Sequence, residues 1–583
     1  MKRIKVLFFF ISLPVISWCQ LDAAIELDSL KISFKTGGEL NSVDLISSGF
    51  SNSFTPNQFN RQFQFIQADH FFAPERGIFI SNPKVDNRLI FTALPHIGFS
   101  YVFGSQGTQL LNFNYQQAFK YDFILNAAIK RNQSAGFLRN SNLQNNQYDL
   151  KLAKIGKRYS FLFSGIYANE SNAWNGGVLV DTLATNFPPG LLSIVKENAQ
   201  SNVNNSVLNL KNQFRITGDS VNFIRLQLVN QYSNQKRFYS ENDSLSLIYP
   251  MITIDSLNTN DTLSTNRFNN NLSVLFKKSG LTFEAGANYD YWNYQAFEMK
   301  RDTSEIGIFE QLSFAWKKIK INHQGQLNLV GAGRGFSSKS VVSIPFLKGT
   351  LEMNHELNYC YPTLFQRHFY SNNSVYHLAN LELQKRQQFQ LKLKDINANK
   401  GFNVHYQLIN YKDNYFFDSF QQIWRNDLNL STGILHQVLI EKPFKVKQFY
   451  FSPRYVFNGM KEEFRVIPTH QFNARLFFQG GIFKAKKLKF ASGFDIALNS
   501  KFKSAAYIPQ LNLLYLINSS TGIYQNTLLN VAFFSSFEVE TFHFFVRADN
   551  FAYFWSKRTT AIIQGYTLPN LQVKIGITWD FWN

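Results

Sequence analysis

The ten histidines are the first place to look for chemistry in this chain. None stands in the His-Glu-x-x-His spacing that sets two imidazoles around zinc on one helix face, and no serine, histidine and acidic residue are grouped as a nucleophilic site requires. Gly331-Ala332-Gly333-Arg334-Gly335 has the glycines of a phosphate-cradling loop but misses the dinucleotide spacing. A β pattern follows it, where a helix N-terminus would have to hold the phosphates, so it reads as a strand connection. Asp255, Asn258, Asn260 and Asp261 cluster the oxygens that calcium takes, but their spacing matches no calcium loop, and a solvated loop is the better reading. The sequence thus assigns no catalytic residue, no metal site and no cofactor.

Basic residues with regular spacing offer more. Lys211, Arg215, Arg225, Lys392, Lys394, Lys489 and Lys574 each sit on the polar side of a segment whose other side is apolar. If such segments close into a barrel, these side chains project into its lumen, where a low-dielectric wall strengthens their pull on anions. The competing expectation is a structural ladder, in which acids on neighbouring segments such as Glu284, Asp290, Asp495 and Asp580 neutralise them. Asn175-Gly176-Gly177 can likewise fold into a lumen as a constriction, since glycine permits positive φ, or make a plain surface turn, the commoner use of Asn-Gly.

The elements that must position these groups alternate with period two from about residue 97 to the end. Leu281, Phe283, Ala285, Ala287, Tyr289 and Tyr291 share one face, with Thr282, Glu284, Gly286, Asn288 and Asp290 on the other. Leu208, Leu210, Phe214 and Ile216 alternate with Asn209, Lys211, Gln213 and Arg215, and Phe402, Val404, Tyr406 and Leu408 with Asn403, His405 and Gln407. Tight polar turns join several of them, at Gly156-Lys157-Arg158, Thr217-Gly218-Asp219-Ser220, Lys277-Lys278-Ser279-Gly280, Lys317-Lys318 and Lys385-Arg386. Stretches rich in Asn, Ser, Asp and Gln, at about 132–146, 170–204 and 234–267, intervene on the other side. The pattern predicts an all-β chain, a large antiparallel transmembrane β-barrel with short periplasmic turns and long extracellular loops. Its strand number should be even, about 24 within a range of 22–26, with parity least secure at 411–426 and 500–520.

Composition fits that frame. Aromatics make up 16% of residues, yet mean hydropathy is −0.21, a combination that a barrel between lipid and a wet lumen needs and a soluble globule resists. Lys2, Arg3 and Lys5 precede an apolar run from Val6 to Trp18, which predicts a cleaved signal peptide at 1–19, with lipidation at Cys19 as the alternative. Export argues against nucleic acid as a partner despite the net charge of +20. After processing Cys360 would be the lone cysteine, so strand pairing must do what disulfides do elsewhere. Residues 20–96, with Pro56, Pro74 and Pro83 and no sustained alternation, read as a periplasmic or lumen-inserting segment ahead of a barrel at 97–583.

The last strand is the most specific feature. Leu571, Val573, Ile575, Ile577, Trp579 and Phe581 occupy alternate positions, opposite Gln572, Lys574, Gly576, Thr578 and Asp580. A terminal amphipathic strand closing on aromatics serves as the insertion signal for the barrel-assembly machinery, here Val573, Ile575, Ile577, Trp579 and Phe581, and it must pair with the first strand to remove the sheet edge. The chain resembles the porin family of the Bacteroidota outer membrane. The resemblance is carried by Tyr101-Val102-Phe103-Gly104 with Gln109, by Ser134-Ala135-Gly136-Phe137-Leu138-Arg139, by Asn172-Ala173-Trp174-Asn175-Gly176-Gly177-Val178 and by the closing Gly576-Ile577-Thr578-Trp579-Asp580-Phe581. It implies a large single-chain barrel with pore activity, and it brings no catalytic residues.

The expected function is therefore a porin in the outer membrane of a Gram-negative cell. It would pass small hydrophilic solutes by diffusion, with membrane lipid and the assembly machinery as its other partners. A substrate-specific or hydrophobic-compound channel, a structural or adhesive surface barrel and a barrel enzyme stand as alternatives. Aromatics pointing into the lumen would favour the hydrophobic conduit, and aromatics pointing to lipid the porin.

Overall fold

A segment that alternates apolar and polar side chains faces lipid and water at once only when extended, and strands in a bilayer must find partners on both edges. The computed structural model describes residues 89–582 except 90–91, 93, 180–186, 220, 244, 246–248, 250, 332, 379–380, 396–400, 419–420, 422, 462–463, 483–486, 517–526, 555–562 and 567. The expected signal peptide, the lipidation alternative at Cys19 and nearly all of the segment 20–96 lie outside the described residues.

Twenty-two antiparallel strands run in chain order around one closed sheet. They are β1 (His96–Gly104), β2 (Thr108–Phe119), β3 (Phe123–Ser134), β4 (Leu143–Ile155), β5 (Tyr159–Trp174), β6 (Ala199–Gly218), β7 (Phe223–Glu241) and β8 (Thr259–Lys278). There follow β9 (Leu281–Ala296), β10 (Met299–Trp316), β11 (Ile319–Val330), β12 (Gly335–Phe346), β13 (Gly349–Cys360), β14 (Gln384–Asp395) and β15 (Asn403–Lys412). The ring is completed by β16 (Gly433–Glu441), β17 (Phe449–Gly459), β18 (His470–Ile482), β19 (Leu488–Asn499), β20 (Leu528–Val539), β21 (Phe542–Asp549) and β22 (Gln572–Trp582). One extra short strand, Phe444–Val446, pairs with β17. Closure is made by β1 and β22, in register from His96↔Trp582 to Gly104↔Lys574. No edge is left to pair with another chain.

The count lies at the lower bound of the expected range, for a local reason. The two uncertain segments do not cross. Phe416–Asp418 pairs with Ile423–Arg425, and Ala506–Ile508 with Leu513–Tyr515, as separate hairpins within connections. Phe416 and its neighbour Phe417 are both buried, so this strand has no polar face to give a bore. A third such hairpin joins His368–Tyr370 to Val375–His377.

Because strand number is even, β1 begins and β22 ends at the same end of the barrel. At that end, residues 279–280, 317–318 and 347–348 join successive strands directly. Connections 175–198, 242–258, 361–383, 413–432, 460–469, 500–527 and 550–571 all lie at the opposite end. The wall is taller on one side. β6 and β8 have 20 residues each, about twice the ~9–11 that cross a bilayer, so this part of the sheet extends past the membrane.

Candidate functional site: the polar bore and its capped mouth

The two faces of each strand separate by chemistry. On β9, Phe283, Ala287, Tyr289 and Tyr291 are exposed, while Glu284, Asn288 and Asp290 are buried. The same division holds on β6, where Leu208, Leu210 and Phe214 are exposed and Asn209, Lys211 and Gln213 buried. An exposed apolar face on a closed sheet is the lipid side, so the shielded polar face lines the bore. Carboxamides, hydroxyls and charges there bond across strands. Gln213 Nε2 donates to Gln227 Oε1 at 2.6 Å and Gln227 Nε2 to Glu284 Oε1 at 2.8 Å, while Ser273 Oγ donates to the same carboxylate oxygen at 2.6 Å.

The charged candidates divide between two of these networks and the rest of the wall. Lys574 Nζ lies 2.7 Å from Asp549, Arg547 bridges Asp549 and Asp495 at 2.6 and 2.7 Å, and Arg475 joins Asp495 at 2.6 Å. Three cations thus share two carboxylates. Lys392 and Lys394 lie 3.0 and 3.9 Å from Glu352, two cations on one acid. Lys489 pairs with Glu538 at 2.8 Å. Lys211 and Arg225 are almost fully buried, and Arg225 donates to Gln213 and lies over the Phe223 ring with Arg215 further out. Lys392 and Lys394, Lys489 and Lys574 pair with Glu352, Glu538 and Asp549, which were not among the expected acids, while the expected Asp495 joins the Lys574 network through Arg547. Glu284 takes Gln227 and Ser273, Asp290 takes Arg267, and Asp580 takes His96. Only interstrand register reveals such partners, and alternation within one strand carries no register information.

The second feature was not visible in the sequence: the mouth away from the termini carries a cap. Leu138, Val178, Leu192, Phe416, Leu430, Phe464, Val466, Phe502, Leu514, Ile563 and Leu568 form one apolar core. They come from connections 135–142, 175–198, 413–432, 460–469, 500–527 and 550–571. A second cluster adds Phe365, Phe369 and Tyr376 from 361–383 to Phe417, Trp424 and Leu513. Aromatics expected at the lipid face are in good part here.

Buried polar bonds tie the cap to the tall wall. The guanidinium of Arg237 on β7 donates to the carbonyl oxygens of Gln510 and, at 2.5 Å, Pro509. The connection 500–527 lies about half-way round the ring from β7, so it crosses the mouth to reach this residue. Gln510 Nε2 continues to Asp261 Oδ2 at 2.8 Å and Ser371 Oγ at 2.7 Å, and Trp174 packs on Tyr507 at 5.3 Å. Asn372 donates its backbone N–H to Asp261 and its amide to the carbonyls of Asp255 and Asn258. From connection 175–198, Lys196 bonds Glu241 and the Tyr249 hydroxyl. Burial depresses the Lys196 ammonium, and Glu241 partly opposes this.

Asn175-Gly176-Gly177 is not the surface turn favoured from sequence. Asn175 is 1% exposed, its Oδ1 accepts from Gly177 N–H, and Gly177 at φ 93° lies so close to Gly565 that a Cβ would meet backbone at 3.0 Å. It is a buried crossing of two cap connections. Of the four oxygen-bearing residues expected in a solvated loop, Asp255, Asn258 and Asn260 are exposed, and Asp261 alone is buried. Asp255 accepts from Leu257 and Asn258 N–H, and Asp261 is 8% exposed with both oxygens bonded to Asn372 and Gln510. Among the described residues no three His, Cys, Asp or Glu side chains group to hold a metal. Gly331 and Gly333 lie in the β11–β12 connection. Val573, Ile575, Trp579 and Phe581 are exposed on the lipid face of β22. At the terminal end Leu89, ahead of β1, packs on Ile124, Ala153 and Leu162, which face inward.

A family model described as "Putative porin" matches residues 21–583. The chain belongs to this porin family. Solved structures share the family member's fold. The siderophore receptor PirA from Acinetobacter baumannii matches with a TM-score of 0.60 at 9% identity, over 85% of this chain and 81% of that one. A mutant of the ferric enterobactin receptor PfeA from Pseudomonas aeruginosa, in complex with enterobactin, matches at 0.58 and 9%, over 84% and 82%. The ferripyoverdine receptor of the Pseudomonas aeruginosa outer membrane, bound to ferripyoverdine, matches at 0.57 and 10%, over 85% and 73%. At such identities the likeness is of fold alone. No curated protein matches the sequence. This porin-family chain is an outer-membrane β-barrel, and among the described residues no helix is long and apolar enough to cross a membrane.

Proposed function

We propose that the chain is a channel for small hydrophilic solutes, that it works without a cofactor or catalytic group, and that the cap controls passage through it. The observation that carries this reading is a closed barrel whose exterior is apolar and whose inner wall is lined mainly by carboxamides, hydroxyls and charged groups, interrupted by apolar patches such as Ile124, Leu162 and Phe534. Residual positive charge at Lys392, Lys394, Arg475, Arg547 and Lys574 supports a preference for anions. Exposed aromatics such as Phe103, Tyr148, Phe268 and Trp579 sit on the lipid face and others fill the cap, a partition that favours hydrophilic over hydrophobic cargo.

A specific observation supports a substrate-selective variant of this reading. Arg237, Asp261 and Lys196 anchor the cap with buried polar bonds, so opening has a free-energy cost that a recognised solute can offset. In this proposal the chain is exported by the segment 1–19 to the outer membrane of a Bacteroidota cell, with the capped end outside and the chain ends in the periplasm. Barrel insertion reads the aromatic C-terminal strand. Liposome swelling with sugars and amino acids of graded size tests the channel. Size-dependent swelling supports it, and correctly folded barrels that leave the vesicles impermeable contradict it.

A further inference from the structure

At the capped end, the tops of β5 to β8 with connections 135–142, 175–198 and 242–258 line an open cleft of about 490 Å3. This lies within the ~300–1,000 Å3 of small-molecule sites. The strands beneath it run 16–20 residues, so the cleft stands beyond the apolar belt, in water. Its lining is chemically narrow. Asn142, Gln200, Asn242 and Asn260 are exposed, and their amides make no side-chain hydrogen bond with described residues. Asn172, also in the lining, is 2% exposed, and its Oδ1 has no hydrogen-bond partner among the described residues although its amide donates to Glu170.

A buried acceptor without a partner costs about 1–3 kcal/mol, so such a group marks a place where a donor is due. Among the described residues no lysine or arginine lines the cleft, which disfavours an anion, and the only apolar side chains there are those of Ala173 and Ala199, which disfavours a lipid tail or an aromatic ring. Each carboxamide offers donors and acceptor together without charge, matching the alternation of adjacent hydroxyl groups.

We infer that this cleft binds a neutral saccharide. The site lies on the rim of the tall wall, and its occupancy does not depend on whether the lumen conducts. Glu197 and Glu241 in the lining are already paired, with Arg139 and Lys196, and among the described lining residues no cation is left to hold a carboxylate, which disfavours uronic acids.

Saturation-transfer NMR on the full chain in detergent micelles tests the inference, with maltotriose, cellotriose and mannotriose as neutral probes, a triglucuronide as the acidic one and triglycine amide as a peptide control. The expected result is transfer to at least one neutral trisaccharide, weaker transfer to the triglucuronide, and at least a tenfold loss of the neutral signal in N142A/Q200A/N260A. All three positions are exposed, so the variant keeps its fold, which heat-modifiable migration verifies. Competition by lipopolysaccharide bearing its core sugars, and not by lipid A, assigns the bound sugar to a glycolipid headgroup. Absence of such competition assigns it to a free saccharide. Transfer to none of the neutral probes, a signal undiminished in the variant, or preference for triglycine amide overturns the inference.

Discussion

Arg237 shows how one side chain commits the mouth of the barrel to a closed arrangement. Its guanidinium is buried against the carbonyls of Pro509 and Gln510, and hydrogen bonds to a charged group contribute about 1.5–3 kcal/mol each. Arg237→Ala is expected to free the 506–515 hairpin while the sheet stays intact. Hydrogen exchange at those amides should rise at least tenfold, with no change in the strands of the terminal half. His368 makes a second residue-scale prediction. Its imidazole is pushed down to about 4 by burial, with His377 beside it and Arg301 and Arg367 nearby. A folded value below the ordinary 6.5 means that the undocked hairpin binds the proton more tightly. Docking of 361–383 is therefore complete above about pH 6.5 and weakens as the pH falls towards 4. Exchange at residues 368–377 measured across that window should rise with acid in the native chain, and His368→Gln should flatten the response. Neither residue was legible beforehand, because Arg237 acts through a partner distant in sequence and His368 through burial that only the assembled cap supplies. The inward lysines were legible on single strands, and their acids Glu352, Glu538 and Asp549 were not.

At the scale of the element, alternation located the barrel strands because each must serve two solvents, and it failed where a segment serves one. Phe416, Phe417, Leu513 and Leu514 pack into apolar cap clusters and cross nothing. They fall in the two segments, 411–426 and 500–520, where the strand count read from sequence was least secure. The closing strand β22 was legible in full. Ile575 is exposed on its outer face and opposite Phe103 of β1. Ile575→Arg places a charge toward lipid and should destabilise the folded barrel by about 2–4 kcal/mol if the position is near the midplane, less if nearer the interface. Urea unfolding in vesicles measures this, and Lys574→Met on the inner face of the same strand should behave differently, loosening the Asp549 network without a lipid penalty.

The whole molecule combines a sealed cylinder with a lid that its own connections build. Composition and rhythm foretold the cylinder. They did not foretell the lid, because the apolar residues of the seven cap connections become two packed clusters only after the ring has brought them together. Charge selectivity also belongs to this scale, since it sums over the wall. Replacing Lys392 and Lys394 by Gln leaves Glu352 unopposed and should move the anion-to-cation permeability ratio down through unity, read as a reversal potential across a salt gradient. Single-channel recording of native and Arg237→Ala barrels in planar bilayers tests the central claim most directly. The account predicts small or rare current steps in the native barrel and frequent, several-fold larger ones in the variant. Folded, inserted barrels that pass no current in either form would contradict it.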